Sequence, residues 1–552
     1  MPYVGGGYSR SRGTMRASGA GLNLPAWPRT LRRWQHDAVA WWARERPRSS
    51  LAVVTPGGGK SLYAAAVAYG AFGSGLIDGV IVVVPSDHLR SQMALTFAGV
   101  GIQLDPYLVN GDGMYARDLL GAVVTIHQVA LEPRAFARIV GRRRIMVVID
   151  EVHHAGDNRR WGAGIESAFG EATFIVALSG TPFRSDGSGI SFLTYDRVGR
   201  VEADVVYGYR DALRDGIVRP LVFHRQGGEV TWTGADGSAN TATFEAALAK
   251  QRSSERLRAA LYDASWVSEV IVRANGTLEK LRRTDRDAGG IIVCIDEAHA
   301  RWVSSVMAEA LGFHPTVVVS ADAAAGAKIK RFTDGTDPWL CAVRMVSEGV
   351  DIPRARVLPY LTNARTELFF RQMIGRVVRA RNASTAASYV MLPDDPELRT
   401  FAVAIEEDVK GSRSEAAVGI AHKRGVIEAA SQFESHAAIH EESGVILGES
   451  SAAALGAPGD HAGAARLVAP ATLAPVAPPP ATLLADQKQH LRRNVWVKVG
   501  EVSRRFRKEQ RDVYAYWARR DNATVSNATE VQLEARLRSM DRWLHEGFCP
   551  VQ

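Results

Sequence analysis

The chain of 552 residues has three cysteines, Cys294, Cys341 and Cys549, far apart and without a C-x-x-C pair. Zinc ribbons and disulfide frameworks need thiols clustered at fixed spacing, so neither is expected. It holds no run of about 18 apolar residues, the length that crosses a bilayer, and its first residues lack the apolar segment of a secretory leader. Acidic residues are missing from residues 1–24, which are rich in Gly, Ser and Arg. Such a stretch buries too little apolar surface to offset its chain entropy and reads as a flexible basic arm. These absences predict a cytoplasmic protein without membrane contact.

What is present is enough for several cores: 46% of residues are hydrophobic, and the length suits three or four domains. The formal net charge of +8 suits a polyanionic partner, which charge alone does not identify. The rest is organised around residues 51–63, L-A-V-V-T-P-G-G-G-K-S-L-Y. An apolar run predicts a buried strand over 51–54, Thr55, Pro56 and three glycines a turn, and Lys60 onward an alanine-rich helix to about residue 71. Without Cβ atoms, Gly57, Gly58 and Gly59 let backbone N–H groups close around phosphate oxygens at a helix N-terminus. There Lys60 brings positive charge to the β/γ-phosphates of ATP and Ser61 offers a hydroxyl to Mg²⁺. The strict pattern G-x-x-x-x-G-K-[ST] is not met, because Val54 stands at its first glycine.

Upstream, Leu31, Trp34, Ala38 and Trp41 or Trp42 recur at helical spacing, and Gln35 falls off that stripe. Strands are expected over 80–84 and 123–126. Working residues of parallel sheets gather at strand carboxyl ends, which makes Ser86 and Arg90 candidates for nucleic-acid backbone contact. The apolar strand 145–149 runs into Asp150-Glu151-Val152-His153-His154. A carboxylate at the end of a buried strand beside a phosphate cradle can hold Mg²⁺ through water, and the next can polarise the attacking water. A strand over 173–178 ends in Ser179-Gly180-Thr181-Pro182. A second acidic box, Asp296-Glu297-Ala298-His299, has neither a glycine loop at a suitable distance before it nor an S-G-T-P after it, and reads as the opening strand and helix of a second domain.

Further on come M-V-S-E-G-V-D-I-P over 345–353 and R-Q-M-I-G-R-V-V-R over 371–379. On a helix Arg376 and Arg379 lie at i, i+3 and share one face; two fixed guanidinium groups beside a γ-phosphate are what a phosphoryl-transfer transition state needs. Pro393-Asp394 with Asp408-Val409-Lys410 mimics a nuclease pattern, but that chemistry needs its second pair on a strand, and 400–410 reads as helix.

Taken in order, these motifs resemble those of superfamily 2 helicases, in the DExH branch shared by restriction motor subunits, transcription-repair helicases and phage helicases. The resemblance covers residues 24–394. It implies an α/β protein of two tandem RecA-like parallel-sheet domains, with ATP and Mg²⁺ in the cleft between them and nucleic acid across both. Carried over by position, Lys60 binds the β/γ-phosphates with Thr55, Pro56 and the three glycines, and Ser61 and Asp150 hold the metal. Glu151 activates water, Gln372 contacts the γ-phosphate or water, and Arg379 is the arginine finger, with Arg376 beside it. Gln35 reads the adenine edge, Gly349 and Asp351 couple nucleotide to nucleic acid, and Thr125, His127 and Gln128 sit where related motors touch phosphates. The implied activity is that of an ATP-dependent DNA helicase or translocase; the alternatives are a remodelling ATPase without strand separation, or an RNA helicase. The implied setting is the cytoplasm of a bacterium or of a phage's host.

The domain reading is a basic arm at 1–24, a first RecA-like domain at 25–220, a linker or accessory insertion at 221–289, a second RecA-like domain at 290–400, a helix and Ala/Pro-rich linker at 401–486, and a basic helical module at 487–552. In the insertion, 230–241 has turn composition and 244–273 reads as one or two amphipathic helices. The C-terminal module carries 14 Lys and Arg against 8 Asp and Glu. Trp496, Val499, Phe506, Val513 and Trp517 read as one helical stripe broken by Gln510, with Arg504, Arg505, Arg507, Lys508 and Arg511 largely off it. A second helix is expected from Thr529, whose spacing to Gln532 is that of a capping box, to Gly547. The module suits a nucleic-acid or protein partner.

Overall fold

The computed structural model describes residues 24–153, 159–180, 192–195, 202–234, 237–319, 322, 324–343, 352–380, 386–410, 445–446 and 483–551. Its first sheet contains β1 (Ser49–Val54), β2 (Gly79–Val84), β3 (Gly121–Thr125), β4 (Ile145–Ile149), β5 (Phe174–Ser179) and β6 (Val205–Tyr207). All pair in parallel, in the order β3-β2-β4-β5-β1-β6. Strands β2 to β5 are buried along their whole length, which is why they read as unbroken apolar runs rather than alternating ones. Each face has its own core. Val80, Val82 and Val84 of β2 join one with Tyr63 and Val67 from the helix Lys60–Gly73, while Ile81 and Val83 join the other with Phe136 and Ile165.

The second sheet contains β7 (Leu221–Gln226), β10 (Gly289–Cys294), β11 (Thr316–Val318), β12 (Trp339–Ala342), β13 (Ala355–Leu361), β14 (Ser388–Pro393) and the two-residue β15 (Val445–Ile446), with a separate hairpin of β8 (Glu229–Thr233) and β9 (Ala239–Thr243). Its order is β11-β12-β10-β13-β14-β7-β15, parallel except for β15. Two tandem α/β units with parallel sheets, the RecA-like arrangement, are therefore present, followed by a helical C-terminal region.

Residues 221–289 differ from the expected linker and accessory insertion. β7 pairs with β14 along its whole length, from Leu221 opposite Ser388 to Gln226 opposite Pro393. The helix Ala264–Arg282 buries Trp266, Val267, Val270 and Ile271 in the same core as Ile292, Cys294 and Trp339. The segment is thus built into the second sheet. The stretch of turn composition is the β8–β9 hairpin, closed by Gly237, whose φ of 80° suits glycine, and alternating buried and exposed residues along β8. The helix Pro396–Lys410 places Asp408 on a helix, as the rejection of the nuclease pattern required.

At the C-terminus three helices, Leu484–Phe506, Gln510–Asp521 and Glu530–Glu546, pack around Val495, Val499, Val502, Val513, Trp517, Leu533, Met540 and Trp543. The single long stripe is corrected to two helices: Arg507 takes a left-handed φ of 52° and ends the first. Trp496 lies off the core and is 63% exposed. Thr529 forms the expected capping box, accepting from Gln532 N (3.2 Å) while Gln532 Oε1 accepts from Thr529 N (2.8 Å). Among the described residues no helix is long and apolar enough to cross a membrane.

The module docks on the first domain. Buried Lys488 pairs with Asp118, whose second oxygen accepts from Glu530 N (2.8 Å) at the first turn of the last helix. Tyr107 Oη donates to Asp486 (2.6 Å), and Leu484 N donates to Gln103 (3.2 Å).

Candidate nucleotide site

β1 ends at Val54, and its continuation is fixed at once: Thr55 N donates to Tyr207 O and Gly58 N to Thr55 O, each at 2.9 Å. Gly57 (φ 81°) and Gly59 (φ 94°) occupy the left-handed region, where a side chain would be strained. A Cβ on Gly58 would lie 2.5 Å from Val54 Cγ1. Val54, the departure from the strict motif, thus packs beneath the loop it opens. Lys60 then starts a helix whose N-terminus has no side-chain cap, leaving its first N–H groups to an anion.

A segment upstream braces this loop. Arg32 Nη1 donates to Gly57 O (2.8 Å), Trp34 Nε1 to Gly58 O (3.1 Å) and Gln35 Nε2 to Gly59 O (2.8 Å). Three consecutive carbonyls, each repulsive to phosphate, are neutralised in turn. Gln35 is 1% exposed, and its Oε1 accepts from Arg32 N (2.9 Å). The amide expected at an adenine edge is spent on the protein's own backbone. Arg32 and Trp34 are contributors that the sequence does not announce: Trp34 reads as packing, and nothing in L-R-R-W-Q marks which donor meets which carbonyl.

The acidic box follows β4. Asp150 is buried, and its N–H extends the ladder to Val83 O (2.9 Å). Glu151 has φ 49°, uncommon for a residue with a Cβ. Its Oε1 forms an ion pair with Lys60 Nζ, and its Oε2 accepts from Gly180 N (3.3 Å). Burial pushes the Glu151 carboxyl up, but Lys60 and His153 together outweigh it and hold the group down at about 2. His153, 1% exposed, lies 3.0 Å from Ser179 Oγ through Nδ1 and 3.5 Å from Gln372 Nε2 through Nε2. One imidazole therefore links the end of β4, the end of β5 and the second domain.

The second domain reaches the loop through the helix Glu367–Val377. A Cβ on Gly375 would lie 2.6 Å from Pro56 Cβ, so the absence of a side chain allows the two domains to touch. Arg376 is 9% exposed. The expectation that Arg376 and Arg379 share a helical face is corrected. The helix ends at Val377, and the backbone beyond it is captured by the first domain's exit: Arg219 N donates to Val378 O (2.6 Å), and Arg379 pairs with Val218 in an isolated bridge. The Arg379 side chain nevertheless lies over the loop, its Cγ 3.2 Å from where a Gly57 Cβ would be. Ser61 is half-buried at the helix start. Gly349, Asp351, His154, Thr181 and Pro182 lie outside the described residues.

The candidates for nucleic-acid contact fare differently. Arg90 spends its donors on Val123 O (2.9 Å) and Leu108 O (2.7 Å), and Gln128 Nε2 also donates to Leu108 O (2.8 Å). Thr125 caps a helix by accepting from Gln128 N (3.1 Å). All three are occupied in holding loops. Ser86 Oγ is buried, and His127 is exposed. In the second acidic box Asp296 accepts from His299 N (2.8 Å) as a helix cap, and Glu297 pairs with Arg301. His299, its pKa lowered by burial, donates from Nε2 to Leu261 O (2.7 Å). Both acids of that box thus have structural partners.

Residues 29–184 match the family model described as Type III restriction enzyme, res subunit. An uncharacterised protein of Mycobacterium tuberculosis is 41% identical over 399 residues, spanning 71% of this chain and 65% of that protein. One of Mycobacterium leprae is 39% identical over 383 residues, spanning 68% and 64%. The chain thus spans a little under two thirds of the length of these relatives. Among solved structures, a fragment of a putative HsdR subunit of a type I restriction enzyme from Vibrio vulnificus is 17% identical, with TM-score 0.47 and coverage of 68% of this chain and 66% of that one. The Mycobacterium smegmatis helicase Lhr, bound to single-stranded DNA and AMP-PNP, is 15% identical, with TM-score 0.44 and coverage of 68% and 48%. Residues 29–184 thus resemble that family, and they lie within the first of two tandem parallel-sheet units.

Proposed function

We propose that the chain is an ATP-driven motor of the DExH type that moves on nucleic acid, DNA before RNA, in the cytoplasm. The observation that carries this reading is the seam at the glycine loop: Gln372 beside His153 and the Arg379 side chain over Gly57 bring the second domain onto the phosphate cradle of the first. The residues fit a nucleoside triphosphate, since the loop admits no Cβ at Gly58 and its carbonyls are already satisfied.

Bound MgATP supplies the phosphoanhydride bond. Lys60 offers its charge at the mouth of the loop, and Ser61 and Asp150 supply hard oxygen ligands of the kind Mg²⁺ takes. Glu151, ionised at neutral pH, accepts a proton from water. Gln372 positions that water or a terminal phosphate oxygen, and Arg379 and Arg376 meet charge developing between the domains. Because half of the set belongs to each domain, turnover requires closure, and repeated closure on a strand moves the chain along it; Gly349 and Asp351 couple the two events. The experiment is ATPase rate with single-stranded DNA, duplex DNA and RNA added separately, beside a strand-displacement assay. Stimulation by DNA with displacement is expected. A rate indifferent to all three polymers overturns the motor, and stimulation by RNA alone overturns DNA as the track.

A further inference from the structure

A cleft of about 870 Å³ separates the docked C-terminal module from the first domain, within the roughly 300–1,000 Å³ range of ligand pockets. Tyr107 and Val109 line it from the first domain, and Arg492, Arg493, Trp496 and Tyr514 from the module. Trp496 is 63% exposed and Val109 56% exposed. The module does not need the Trp496 indole to fold, because its core is closed by Trp517 stacked on Trp543, with ring centroids 5.2 Å apart and planes at 12°. Arg492 is tied down, 3.7 Å from Asp105 and donating to Ser526 O, whereas Arg493 is exposed.

The position of the cleft matters as much as its lining. Its first-domain wall is anchored at Leu108, whose carbonyl accepts from both Arg90 and Gln128. These residues follow β2 and β3, so the cleft opens beside the strand carboxyl ends, the edge on which parallel sheets hold ligands. The glycine loop leaves β1 on the same edge.

We propose that this cleft is a stacking site for single-stranded nucleic acid, with Trp496 against a base face and Arg493 at a phosphate. The proposal rests on the motor reading above and deepens it by assigning the module to the track. Base–aromatic stacking accepts any sequence, because every base has a π-face. A guanidinium beside it matches phosphate geometry. The module's excess of 14 basic over 8 acidic residues is complementary to a polyanion.

The test is anisotropy of a labelled oligothymidylate titrated with the full chain over a range of salt. Trp496→Ala should weaken binding roughly 5- to 150-fold, the span observed for losing one stacked base, and Trp496→Phe should recover most of it. Arg493→Gln should lower the log–log salt slope by about 0.7, the share of one phosphate on a single strand. An unchanged Tm for Trp496→Ala verifies that the fold is intact. If the wild type binds and Trp496→Ala binds equally well, the stacking site is overturned while the motor stands, and the cleft passes to a protein partner. A wild type that binds no oligothymidylate and hydrolyses ATP without regard to nucleic acid overturns both.

Discussion

Lys60 and Glu151 form an ion pair that joins the first turn of the loop helix to the end of β4. In the proposed mechanism each also acts toward the nucleotide, the ammonium on phosphate and the carboxylate on water. They occupy one another in this structure, so on that reading nucleotide binding draws Lys60 away. Glu151→Gln should therefore abolish turnover while binding ATP at least as tightly as the wild type, since the amide competes less for the ammonium. Glu297→Gln, in the box whose acid pairs with Arg301, should hydrolyse normally. Steady-state rates and mant-ATP affinities for both variants decide this. A dead Glu297→Gln with an active Glu151→Gln would reverse the assignment of the two boxes.

The same pair sets a pH dependence. The folded Glu151 carboxyl sits at about 2, below its ordinary 4.5, despite a burial that opposes ionisation. A lowered acid pKa contributes stability that is fully present above the unfolded value and is lost as pH falls through the folded one. The wild type should therefore exceed Glu151→Gln in thermal stability at neutral pH. That margin should be flat from about pH 7 to 5 and shrink from about pH 4.5 toward 2. Paired melts across this range test it; a margin that grows on acidification contradicts the ion pair.

Asp118 holds the module by two oxygens, one on buried Lys488 and one on the Glu530 amide. Asp118→Ala strands a buried ammonium, a loss of roughly 3–5 kcal/mol when one partner of such a pair is removed. The module should then leave the first domain. Hydrogen exchange should accelerate around Leu484 and Glu530, and basal ATPase without nucleic acid should persist. Adding Lys488→Met removes the stranded charge and should restore protection, because apolar replacement of both partners is often neutral. Failure of the double variant to recover would place the docking energy elsewhere.

Much of this site is readable where chemistry is local. Glycines before Lys60, carboxylates after an apolar strand and a capping box at Thr529 each depend on residues a few positions apart. Contacts across the chain are not readable in that way. β7 finds its partner at Ser388 to Pro393, far along the sequence, and a short apolar run ahead of a Gly-rich stretch carries no mark of that partner. Asp118 is one acid among many until Lys488 is brought to it. Arg379 shows a local inference failing in detail: counting i, i+3 assumes that the helix continues, whereas Arg219 takes the carbonyl of Val378 and draws the next residue into a bridge. The Arg379 side chain lies against Gly57, but through tertiary capture rather than helical spacing.

Three variants probe the seam that this capture creates. A methyl on Gly375 would meet Pro56 Cβ at 2.6 Å and Cγ at 2.7 Å. That is too close for a Cβ, and both partners are held by backbone, so Gly375→Ala should push the second domain off the loop. Neither sheet is altered, hence each domain should keep its fold and the first domain its ATP affinity. Arg379→Ala removes the charge without adding bulk. As the proposed arginine finger, its guanidinium would act when negative charge moves in the transition state rather than when ATP docks, so kcat should fall on the order of 10³- to 10⁵-fold with little change in nucleotide affinity. Arg379→Lys should restore little, because an ammonium lacks the planar fork. Both alanine variants should lose stimulation by nucleic acid, since stimulation acts through closure. Measuring kcat and mant-ATP affinity with and without DNA separates the outcomes. If Gly375→Ala fails alone, the seam matters but Arg379 is not its catalytic group. An Arg379→Ala protein that keeps more than about a tenth of the stimulated rate removes that residue from the site, and the buried Arg376 becomes the better candidate.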